Sequence, residues 1–100
     1  MSYEQVDTVW DAIASNPAEA AKLKARSELM TALMRHIKAK GWTQAEAAEQ
    51  LGLAQPQVSD LMRAKLSRFS LDLLVGLVAR AGLRLHLKVT KPAPLKKAAA

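Results

Sequence analysis

Residues 42–63 constrain this chain more than any other stretch. Read from Gly41 they run GWTQAEAAEQLGLAQPQVSDLMR. Thr43 with Glu46 three positions later is the pattern of a reciprocal capping box, in which each side chain satisfies the other residue's backbone amide. A short helix is therefore predicted over Gln44–Leu51. Gly52 follows where a residue without a Cβ ends a helix at least cost in the left-handed region. Leu53 and Ala54 bridge to a second helix, from Gln55 to about Arg63. Pro56 is acceptable there because the first helical turn needs no amide donor.

The side chains of this corner divide cleanly. Ala48 is small enough to let the two helices approach. Leu51, Val58 and Leu61 recur at helical spacing and are predicted to point inward. Gln55, Gln57, Ser59 and Asp60 remain for the outside, concentrated at the start of the second helix. An ordinary antiparallel helix pair shares the caps and the Gly turn. The combination of the Thr-Gln-x-Glu start, a small residue at 48, Gly52, Val58 and Leu61 at fixed offsets, and basic residues directly afterwards points instead to a helix-turn-helix. In that motif the start of the second helix reaches base edges in the major groove.

Charge supports a polyanionic partner. The chain has 100 residues, 15 Lys and Arg against 9 Asp and Glu, and a formal net charge of +6. The distribution is uneven: residues 1–20 carry Glu4, Asp7, Asp11 and Glu19 with no Lys or Arg, and every cation lies after them. A basic body suits phosphate contacts and counterion release. The acidic arm suits a basic protein partner instead. There is no Cys, which excludes disulfides and thiolate metal sites. Two histidines, His36 and His86, lack acidic neighbours at ligand spacing, and no Gly-rich phosphate loop is present; enzyme chemistry, metals and cofactors are therefore not expected. No apolar run is long enough to span a bilayer and no signal-peptide pattern opens the chain, so the expected location is the cytoplasm.

Taken in order, residues 1–16 form an acidic arm with a short helical stripe at Val6, Val9, Trp10 and Ile13. The stripe is too short to be stable alone. It either anchors a partner or docks on the domain's own core. Asn16, Pro17 and Glu19 signal the start of a longer helix to about Ala39, ended by Gly41 and open to a break near Ser27. Leu29, Leu33 and Ile37, flanked by Met30 and Met34, supply its core stripe. Trp42 is read as core, stapling the next helix. Arg63, Lys65 and Arg68 place three cations in a six-residue loop after the reading helix, positioned to grip phosphates. Phe69, Ser70 and Leu74 start a further helix, lined by Leu71, Leu74, Leu77, Val78 and Ala81, with Gly76 expected to permit a close helix crossing. Gly82 ends it.

The period then changes to two: Leu83, Leu85, Leu87 and Val89 alternate with Arg84, His86 and Lys88. One half-buried strand is predicted, yet no second strand exists to pair with it. The simplest remedy is the same strand from another copy across a two-fold axis, hence a homodimer. Residues 91–100, KPAPLKKAAA, are expected to be a disordered basic tail. The domain division is then 1–16 arm, 17–90 DNA-binding and dimerisation domain, 91–100 tail.

The stretch TQAEAAEQLGLAQPQVSDLMRAKLSRFSLDLLVGLVARAGLRLHLKV resembles the XRE/Cro-type helix-turn-helix family, and more narrowly the small HigA-type antitoxins. The shared letters are Gln55, Pro56, Val58, Ser59, Asp60, Leu61, Met62, Lys65, Phe69, Ser70, Leu71 and Leu74. The likeness extends over 26–89 and is most specific over 43–74. It implies an all-α, lambda-repressor-like domain of about five helices with one C-terminal strand paired across a homodimer. It also implies binding to a palindromic operator in double-stranded DNA, repression of the chain's own operon, and neutralisation of a RelE/HigB-like ribonuclease toxin. By the same resemblance Gln55, Gln57, Ser59 and Asp60 would read bases, with Gln55 favouring adenine. Thr43, Gln44, Arg63, Lys65, Ser67 and Arg68 would hold phosphates, and Val6, Val9, Trp10 and Ile13 would meet the toxin. One departure is Ala54, where many relatives carry a capping Ser or Thr. Another is Pro56, which removes a side chain that others use on bases. A stand-alone XRE-type repressor without a toxin is the alternative.

Overall fold

The computed structural model describes residues 16–91. Four α-helices and one 3-10 turn occur among them: α1 (Pro17–Lys40), α2 (Gln44–Leu51), α3 (Gln55–Met62), the turn Leu66–Arg68, and α4 (Leu71–Arg80). The arm through residue 15, with Val6, Val9, Trp10 and Ile13, and the tail from residue 92 lie outside the described residues.

Each helix starts where its side chains can satisfy the first amides. Asn16 Oδ1 accepts from the Glu19 amide at 2.8 Å, and Ser70 Oγ accepts from the Leu73 amide at 3.1 Å. Thr43 and Glu46 complete the full capping box, with the Thr43 amide donating to Glu46 Oε1 at 2.8 Å and the Glu46 amide to Thr43 Oγ1 at 3.1 Å. α1 runs unbroken through Ser27. Between Pro17 and Lys40 there is no Gly and no later Pro, and Ser alone disfavours a helix interior too weakly to stop one.

The helix ends share one device. The amides of Trp42, Leu53, Lys65 and Leu83 donate to the carbonyls of Ile37, Ala48, Asp60 and Val78, at 3.2, 2.9, 3.1 and 3.1 Å. Each bond spans five residues and closes over a left-handed residue, as in a Schellman ending. That residue is Gly41, Gly52 and Gly82 in three cases, but Ala64, at φ 57°, after α3. An L side chain in that region is strained by roughly 1–2 kcal/mol. The end of α3 is thus the one that breaks the local rule.

The core gathers Met30, Leu33 and Ile37 from α1, Ala47 and Leu51 from α2, Val58 and Leu61 from α3, Phe69 before α4, and Leu74, Leu77 and Val78 within it. One expectation is extended and another shifts by one position. Ala47 joins Leu51 as a fully buried residue of α2, while Ala48 is half-buried and packs against the core. The buried stripe of α1 is Met30, Leu33 and Ile37, with Leu29 and Met34 at its margins, because the line of contact follows positions three and four apart rather than four alone. Trp42 packs on the core's edge and meets the His36 ring edge-on, centroids 5.4 Å apart.

Two further expectations are corrected, and a third, the strand, is not formed by one chain alone. The 63–68 segment is not a plain loop, since it contains the 3-10 turn. Gly76 makes no close crossing: a Cβ built there meets nothing within 4 Å. Residues 83–89 form no strand in the single chain, as an extended segment without a hydrogen-bonding neighbour cannot. Leu83 packs on the core, but Leu85, Leu87 and Val89 are 39%, 83% and 97% exposed.

Two substitutions test this backbone reading. Ala64→Gly relieves the left-handed strain and Gly76→Ala removes a helix-interior glycine from open space. Each should raise unfolding stability by about 1 kcal/mol in urea melts, and destabilisation by either would contradict the assigned backbone.

Candidate nucleic-acid interface

The two short helices of the corner owe their geometry to packing. Eight residues do not hold a helix in water. α2 and α3 persist because Ala47, Leu51, Val58 and Leu61 are all at or below 1% exposure in one cluster. The remaining side chains of α3 are thereby turned outward: Gln55, Pro56 and Gln57 are exposed, and Ser59 and Asp60 are half-buried. Of the expected phosphate contacts, Thr43, Gln44, Arg63, Ser67 and Arg68 are exposed and Lys65 is half-buried. None of these side chains is walled off by the fold.

Several of them are already engaged. The Thr43 hydroxyl accepts the Glu46 amide, which leaves its own proton available for a phosphate oxygen. Ala54 has no side-chain acceptor, but Gln57 supplies half a capping box, its Oε1 accepting the Ala54 amide at 2.8 Å. Gln57 is the third residue of the helix, the position from which a Glu or Gln reaches back. That spacing is visible in the sequence, but without a capping side chain at 54 it does not read as a capping box. Only an oxygen can accept from an amide, so the orientation of the Gln57 carboxamide is fixed and its NH₂ remains for another partner.

Asp60 is also occupied. Its two carboxylate oxygens face Lys65 Nζ at 3.7 Å and Arg68 Nη1 at 3.5 Å. The separations of five and eight residues match no helical or strand period; they arise from the left-handed Ala64 and the 3-10 turn, so sequence spacing carried no signal of the cluster.

Arg80 of α4 is a further contact without a sequence signal. Its guanidinium covers Gly52, such that a Cβ at 52 would lie 2.8 Å from Nη2. A cation at the carboxyl end of α2 complements the helix dipole. Nothing in the 80s of the sequence points to position 52.

Among the described residues no group of His, Cys, Asp or Glu is placed to hold a metal ion, and no helix is long and apolar enough to cross a membrane. His36 lies against Trp42 and His86 is exposed.

A family model described as a helix-turn-helix domain matches residues 13–90. A solved structure described as an XRE family transcriptional regulator superposes with a TM-score of 0.68 at 31% sequence identity, covering 74% of this chain and 83% of that one. No curated protein matches the sequence. With the family match spanning most of the chain and the structural relative covered over most of its length, this chain belongs to the XRE-type helix-turn-helix family.

Proposed function

We propose that this chain is a sequence-specific DNA-binding regulator that grips a palindromic operator as a homodimer and represses transcription. The observation that carries the reading is the exposed polar start of α3, set on a buried apolar base and followed by Arg63, Lys65 and Arg68. In an XRE-type motif this end of the second helix enters the major groove, while neighbouring groups fix the backbone register.

Within that reading Gln55 is the free amide and can pair adenine in bidentate fashion. Gln57, with its oxygen committed to the Ala54 amide, presents donors only. It therefore suits base acceptors, guanine N7 and O6 or thymine O4. Ser59 and Asp60 complete the reading face. Thr43, Gln44, Arg63, Lys65, Ser67 and Arg68 bear on phosphates. The second copy follows from residues 83–89: Leu85, Leu87 and Val89 stand exposed, and pairing that segment across a two-fold axis would supply its amides with partners and cover the apolar row.

The finer reading is an antitoxin of a type II pair that neutralises a RelE/HigB-like ribonuclease and represses its own operon. It rests on the HigA-like motif over 55–74 and on the acidic arm with Val6, Val9, Trp10 and Ile13. A stand-alone repressor accounts equally well for residues 17–90 and differs only in the arm. In neither reading does the chain perform chemistry.

Three measurements test these assignments. Gln55→Ala should weaken binding to a duplex selected by this chain by about 1–3 kcal/mol, the usual worth of a good base contact, and an unchanged affinity would remove Gln55 from the reading face. Gln57→Ala should also lower folding stability by about 1 kcal/mol through loss of the cap. Gln57→Glu should keep the cap and the stability but still lose binding. Equal binding by Glu and Gln at 57 would contradict a donor role. Deleting residues 1–16 should release a co-expressed RelE-like ribonuclease and spare duplex binding; loss of duplex binding alone would contradict the arm's assignment, and failure of any such ribonuclease to bind the full chain would favour the stand-alone repressor.

A further inference from the structure

The carboxylate of Asp60 lies where a DNA-binding surface would ordinarily avoid one, beside the cations that follow the reading helix. It is 22% exposed and faces Lys65 and Arg68 with one oxygen each, at 3.7 and 3.5 Å. The same residue's backbone carbonyl accepts the Lys65 amide at 3.1 Å. The Arg68 amide in turn donates to the Lys65 carbonyl at 3.0 Å. The two cations are thus tied by the main chain to the segment that Asp60 closes. Arg63 makes no such ion pair among the described residues and is exposed.

From this cluster we infer that Asp60 is a specificity-determining residue that holds Lys65 and Arg68 back from phosphates until a matching base edge takes their place. The inference rests on the DNA-reading function proposed above. Two physical effects compete at such a carboxylate. It can order the cations for phosphate contact, or it can neutralise part of their charge. Ion pairs this exposed hold their side chains only weakly, so the ordering effect is small, whereas the carboxylate's unit negative charge opposes phosphates whether or not the pairs are formed. A phosphate contact, by contrast, contributes nearly a full unit to the dependence of log affinity on log salt. Withholding one cation equivalent therefore outweighs ordering it.

The consequence differs between sequences. On a duplex of arbitrary sequence, phosphates must draw Lys65 and Arg68 off Asp60 and leave a carboxylate facing the backbone. On a matching sequence the carboxylate accepts from a cytosine N4 amino group. That donor takes up the carboxylate, and the one cation equivalent it had neutralised becomes available to phosphates. Asp60 thereby weakens arbitrary binding more than matched binding.

The test uses the full chain, a random-sequence duplex and a duplex selected by this chain, with fluorescence anisotropy read across a salt series. Asp60→Asn, and Asp60→Ser as a second variant with folding followed by circular dichroism, should bind the random duplex about 8-fold more tightly at 0.1 M salt, with a log–log salt slope steeper by about 0.9, the value of one more phosphate contact. The preference for the selected duplex should fall by at least the same factor. In a Lys65→Gln/Arg68→Gln background the Asp60 substitutions should give no gain. An unchanged or weaker affinity for the random duplex, or a gain that persists without the two cations, overturns the inference while leaving DNA binding intact. Failure of the unmodified chain to bind either duplex overturns the DNA-reading function as well.

Discussion

The rest of the corner depends on one buried cluster, in which Ala47 and Leu51 of α2 and Val58 and Leu61 of α3 are all closed off from solvent. Neither α2 nor α3 is long enough to persist alone, so this shared contact, and the long α1 behind it, define where the start of α3 points. A larger side chain at 47 would push the helices apart in a core with no slack for it. The orientation of Gln55 and Gln57 is therefore a property of packing several residues away, and only secondarily of α3 itself.

The second constraint lies at the helix ends. Left-handed residues turn the chain after every helix among the described residues, and glycine occupies three of those positions. The exception, Ala64, sits between α3 and the Lys65–Arg68 segment. Departures from a local rule tend to gather at functional sites, held there by the surrounding structure. Here Ala64 lies in the middle of the Asp60, Lys65 and Arg68 cluster, and its conformation brings groups five and eight residues apart around one carboxylate. The same economy appears at the start of α3, where Gln57 offsets the missing cap at Ala54.

Much of this architecture was legible in the sequence because it is locally encoded. Asn16, Thr43 with Glu46, and Ser70 announce helix starts by side-chain chemistry alone, and Gly41, Gly52 and Gly82 announce the ends. The inward positions Leu51, Val58 and Leu61 follow from helical period. The rest depends on tertiary geometry that no period encodes. Whether Ala47 or Ala48 is the buried methyl turns on a rotation of α2 by one residue, and Met30 displaces Leu29 from the α1 stripe for a similar reason. Gly76 reads as a crossing point, yet the space beside it is open in the single chain. Arg80 against Gly52 and Asp60 between its two cations are contacts between residues whose spacing carries no signature. The alternation over 83–89 was readable, but a strand is a property of a pair, and one chain supplies half of it.

The most direct test is amide chemical-shift mapping of the ¹⁵N-labelled chain against a duplex that it has selected from a random library. The account predicts that the largest changes fall at Thr43 and Gln44, over Ala54–Asp60, and over Arg63–Arg68, with the first half of α1 and the outer side of α4 little affected. Changes concentrated on α1 or α4, with the start of α3 silent, would contradict it.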